Sequence, residues 1–117
     1  MKLRVLLLSL VIAVGLTFAS VGLSQSHATK ATTVTVTAKE FKFVLSTKTV
    51  KHGVVTFKVK NGGTLPHDFK ISGKKTPMIK PGKTVTLKVT LGKGSKPYMC
   101  TVAGHAAAGM KGTLKVT

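Results

Sequence analysis

The chain has 117 residues, 19 of them lysine or arginine and only 2 aspartate or glutamate, giving a formal charge of +17 at pH 7. Two carboxylates furnish little of a substrate cleft, and the positive field calls for acidic partners. Specific nucleic-acid recognition is not expected, because Arg4 is the only arginine and the chain has one Tyr and no Trp to serve base reading and stacking.

Met1 to Arg4 form a short basic start, and Val5 to Leu23 is then almost wholly apolar and uncharged. That order is an export signal, with Ser26-His27-Ala28 offering small residues for cleavage after Ala28. Residues 1–28 are therefore expected to be a signal peptide, leaving residues 29–117 as the domain. The other reading is an uncleaved anchor helix, since residues 5–23 approach the roughly 20 needed to cross a bilayer and would give membrane association. Both readings put the domain outside the cytoplasm, in the periplasm or the extracellular space. Without Lys2 and Arg4 the formal charge falls from +17 to +15.

A domain this small has a marginal core and needs a staple. Cys100 is the only cysteine, so no internal disulfide can form. A bound metal is the other common staple, and ligation would also protect a lone thiol from oxidation.

From Thr32 onward the residues alternate with period two, threonine and lysine between apolar positions. Val34, Val36 and Ala38 fall on even positions, whereas Phe41, Phe43 and Leu45 fall on odd ones, so a bulge or a break between strands is expected near Lys39-Glu40. Val55, Phe57 and Val59 share the next face, and Asn61-Gly62-Gly63 ends that strand. Phe69 and Ile71 follow, then Val85, Leu87 and Val89, then Tyr98, Cys100 and Val102, and finally Leu114 and Val116. About seven short strands with regular turns predict an all-β fold, a two-sheet sandwich with Greek-key connections. His67 is in phase with Phe69 and Ile71, and Cys100 with Tyr98 and Val102, so both should point inward.

The segment Cys100 to Met110 reads C-x4-H-x4-M. A thiolate at Cys100, imidazoles at His105 and the distant His67, and the thioether of Met110 make up two histidines and one cysteine with a weak axial methionine. That set suits one copper ion cycling between Cu(I) and Cu(II). Zinc fits less well, because methionine is a poor fourth ligand. Gly104, Ala106, Ala107, Ala108 and Gly109 let the backbone wrap closely while keeping the loop apolar. His52 lies in a polar turn, and Met78 and Met99 fall outside the pattern.

Pro66-His67-Asp68-Phe69 followed by the Cys-His-Met loop resembles the cupredoxins, the plastocyanins, azurins and their bacterial relatives. Glu40-Phe41-Lys42-Phe43, Asn61-Gly62-Gly63-Thr64 and Pro81-Gly82-Lys83-Thr84 resemble an early strand, the loop before the first histidine and the mid-domain turn of such domains. The resemblance implies a cupredoxin-like β-sandwich, a type 1 copper and electron transfer through the edge of His105. The family often has Asn after the first histidine; here Asp68 is expected to accept the hydroxyl or N–H of Thr101, and its own N–H should reach the sulfur. Plastocyanins commonly carry proline two residues after the cysteine; Val102 stands there and leaves room for a second N–H to sulfur. Four residues between Cys100 and His105 look like azurin and four between His105 and Met110 look like plastocyanin, so the subfamily stays open.

The expected function is one-electron transport by a non-enzymatic monomer between redox partners with acidic docking surfaces. Leu65, Pro66, Ala103, Ala106, Ala107 and Ala108 are the expected apolar docking patch around His105, rimmed by lysines. The competing reading is an exported copper chaperone or buffer. A nucleophilic Cys-His enzyme is disfavoured, because no third residue is evident to orient the imidazole.

Overall fold

The computed structural model describes Gly15, residues 19–22 and residues 31–117. The expected signal or anchor segment lies almost wholly outside the described residues.

Nine strands follow one another among the described residues: β1 (Thr32–Lys39), β2 (Lys42–Leu45), β3 (Thr49–Val50), β4 (Gly53–Asn61), β5 (Lys70–Ile71), β6 (Lys74–Lys75), β7 (Thr84–Leu91), β8 (Gly94–Met99) and β9 (Lys111–Val116). They form two sheets, ordered β2-β1-β4-β7 and β3-β9-β8-β5-β6. Both are mixed, because β1 pairs parallel to β4 and β3 parallel to β9 while the other neighbours run antiparallel. The count exceeds seven because the two-residue pieces β3 and β6 lie outside the expected runs, whereas β5 is the expected Phe69-Ile71 strand shortened to two residues.

The phase slip after β1 is a two-residue turn at Glu40-Phe41. With Lys39 opposite Lys42, Ala38 faces Phe43 and Val36 faces Leu45, so even positions of β1 and odd positions of β2 share one side. Inward residues of the two sheets fill one interior. Val34, Val36, Val55, Phe57 and Val59 come from the first sheet, and Ile71, Leu114 and Val116 from the second, all buried. Burying each such large apolar side chain is worth roughly 1.5–3 kcal/mol. Phe69 sits among three rings, with centroids 5.1 Å from Phe57, 5.3 Å from Phe43 and 5.5 Å from Tyr98. Two residues before Phe69 and two after Tyr98 the same inward phase carries His67 and Cys100, which are both fully buried.

Candidate metal centre

His67 is held by backbone on both sides. Its N–H donates to Ile79 O at 3.2 Å and its carbonyl accepts the Ile79 N–H at 2.7 Å, an isolated antiparallel bridge. The preceding loop is pinned by Asn61, the buried last residue of β4. Its Nδ2 donates to Leu65 O at 2.7 Å and Ile79 O at 2.8 Å, while its Oδ1 accepts the Gly63 N–H at 2.9 Å.

Cys100 directly follows β8, and its N–H donates to Met110 O at 3.0 Å, closing the loop between them. Inside that loop the His105 N–H donates to Val102 O at 3.0 Å and the Met110 N–H to His105 O at 3.1 Å. Small residues are required for this tight path. Gly109 has φ 125°, and a Cβ there would lie 2.9 Å from Phe41 O.

The fold thereby brings His67 Nδ1, Cys100 Sγ and His105 Nδ1 within 4.8 Å of one another. The two imidazole nitrogens are 3.1 Å apart, and His105 Nδ1 is 3.7 Å from the sulfur. Met110 is fully buried and packs with Cys100 and Ala38, with Phe43 and Val102 against them. Buried nitrogens turned toward each other and toward a thiol, beside a buried thioether, fit a soft cation that takes imidazole and sulfur. His67, Cys100 and His105, with Met110, are positioned to bind one copper ion.

Around the donors the polar groups are paired. The Asp68 carboxylate accepts the Thr101 N–H at 2.6 Å and also the Thr101 hydroxyl, tying the strand after His67 to the loop after Cys100. Burial pushes the Cys100 thiol above its ordinary 9.0, while the backbone N–H groups of Asp68 and Val102 at the sulfur pull it the other way. His67 uses its remote nitrogen as well, with Nε2 3.0 Å from Glu40 Oε1. That oxygen also accepts the N–H groups of Leu65 at 2.7 Å and Thr64 at 2.8 Å. These bonds, the one from Leu65 foremost, hold the Glu40 carboxyl at about 2.

His105 is the ligand nearest the surface, 9% exposed, with the Phe41 ring edge-on at 5.1 Å. Leu65, Pro66, Ala103, Ala107 and Ala108 are exposed, Ala106 is half-buried, and Phe41 at 40% exposure joins this apolar surface. Met78 and Met99 are exposed, and His52 is exposed and bonded to Thr117 O. Glu40, Phe41 and Asn61 belong to the site, although in the sequence they read only as parts of an early strand and of the loop before the first histidine. A signal existed for Glu40, since it and Asp68 are the only acidic residues in the chain.

A family model described as a cupredoxin-like domain matches residues 9–116. The chain belongs to the cupredoxin-like family. Among solved structures, this cupredoxin is similar to a dithionite-reduced auracyanin from the photosynthetic bacterium Roseiflexus castenholzii. The two are 22% identical over 74% of this chain and 98% of that one, with a TM-score of 0.65. It is also similar to auracyanin A, a "blue" copper protein of Chloroflexus aurantiacus, at 20% identity over 74% and 99% of the two chains and a TM-score of 0.62. Copper nitrite reductase from Nitrosomonas europaea matches 74% of this cupredoxin with 41% of its own chain, at 22% identity and a TM-score of 0.59. No curated protein matches the chain in sequence. The same sandwich thus occurs alone in small auracyanins and as part of a larger reductase.

Proposed function

We propose that this cupredoxin is an exported carrier of single electrons rather than an enzyme, holding one copper through His67, Cys100, His105 and Met110. The observation that carries the reading is a ligand set assembled and buried by the fold itself, with only His105 near the surface. Copper bound there supplies a Cu(I)/Cu(II) couple. The chain's own part is to keep the donors in place through both states. Backbone bonds at His67, Cys100 and Met110 fix the loops, and N–H groups at the sulfur favour its electron-rich form.

A chaperone or buffer needs ligands that exchange readily, and the full burial of His67, Cys100 and Met110 opposes exchange. We place partner docking on the apolar surface of Phe41, Leu65, Pro66, Ala103, Ala107 and Ala108, through which electrons reach His105, with an acidic partner drawn by the lysines. Export is assigned to residues 1–28, as a signal or an anchor.

Cu(II) added to the purified chain is expected to give intense visible absorption from thiolate-to-copper charge transfer, and Cys100→Ser to abolish it. A colourless copper complex of the unaltered chain contradicts the proposal.

A further inference from the structure

Glu40 lies in the turn between β1 and β2, 27 residues from His67 in sequence, yet its carboxylate is the partner of the His67 nitrogen that faces away from the donor cluster. Nδ1 of His67 faces His105 Nδ1 at 3.1 Å, and Nε2 faces Glu40 Oε1 at 3.0 Å. A carboxylate can only accept, so the His67 proton sits on Nε2 and the Nδ1 lone pair is left for a metal. The same oxygen anchors the Thr64 and Leu65 N–H groups, which fixes where the carboxylate stands relative to the ring. Gly63 makes the approach possible, since a Cβ there would collide with the Glu40 carboxylate. In a chain of charge +17, both acidic residues lie against this centre, and Glu40 is the one that touches a ligand ring.

We propose that Glu40 is a positioning residue that sets the redox balance of the centre: its carboxylate fixes the His67 tautomer, strengthens Nδ1 as a donor and favours Cu(II) over Cu(I). The inference rests on the copper reading above. A negative charge hydrogen-bonded to a ligand ring interacts more strongly with the ion of higher charge, and the ring transmits it as added basicity. Glu40 therefore opposes the N–H groups at the Cys100 sulfur, which favour Cu(I), and the potential is set between the two.

The test uses the full chain as wild type, Glu40→Gln and Glu40→Ala. Glutamine keeps an acceptor oxygen for the Thr64 and Leu65 N–H groups and removes only the charge. In a redox titration followed by the visible band, E40Q should shift the Cu(I)-to-Cu(II) preference about tenfold toward Cu(I), a rise of about 59 mV for one electron. A purely tethering role would lower thermal stability in E40A and leave the Cu(I)-to-Cu(II) preference of E40Q within twofold of wild type, and that result overturns the proposal. The second measurement needs no variant to fold: nitrogen-15 NMR of the metal-free wild-type chain should show the His67 proton on Nε2, and a proton on Nδ1 overturns the assignment. Failure of the copper reading would show separately, as a missing visible band in the wild type. Failure of this inference leaves that band in place and the E40Q potential unmoved.

Discussion

Loading of the centre is governed by the Cys100 thiol. Because burial raises it above 9.0, the metal-free protein holds S–H at neutral pH, and a metal that takes the thiolate must release that proton. Copper affinity should fall about tenfold per pH unit on acidification and level off only above the raised value, measured by competition with a chelator of known affinity. Flat affinity between about pH 5 and 8 would contradict this. The metal-free fold responds with its own sign: a thiol whose pKa rises on folding adds stability below 9.0 and loses it as pH climbs through the raised value. At this scale, strand parity was enough to turn His67 and Cys100 inward, since period-two alternation decides which face a side chain takes. Parity groups Phe41 with Phe43 and Leu45, yet Phe41 lies in the turn, exposed and against His105, and parity says nothing of Glu40, whose position depends on that turn folding back against loops far along the chain.

The elements bearing the ligands are loops stiffened by specific polar bonds, and Asn61 is the member of that set most open to test. It is fully buried and satisfies Leu65 O, Ile79 O and the Gly63 N–H. Asn61→Ala strips these partners, and leaving buried polar groups unpaired costs about 1–3 kcal/mol. Denaturant unfolding of the metal-free variant should show that loss with an unchanged slope, whereas wild-type stability would remove Asn61 from the account. In the sequence, Asn61-Gly62-Gly63 reads as the end of a strand and the start of the loop before His67, because nothing local reveals that an amide will bridge to Ile79, 18 residues on. The long strands β1, β4, β7 and β9 were legible from alternation. The pieces β3 and β6 exist only through pairing with neighbours and leave no periodic trace, whereas the alternation of Phe69 and Ile71 had marked β5.

Among the described residues, exposed lysines surround a centre whose four ligands reach the outside only at His105. The charge was plain from composition, and the two-sheet sandwich followed from strand count and spacing. The meeting of His67 with the Cys100 loop was accessible only because both fall at strand ends on the inward phase. A molecule built this way should exchange electrons with a small anionic oxidant quickly and without losing its metal, at a rate that falls as salt screens the lysines. The most direct measurement is stopped-flow oxidation of the Cu(I)-loaded full chain by hexacyanoferrate(III), following return of the visible band at rising ionic strength. Rapid recovery of the band with one equivalent of oxidant, copper retained through repeated cycles and a rate that declines with salt is the predicted result. Release of copper on reduction, or no electron exchange, would contradict the electron-carrier account.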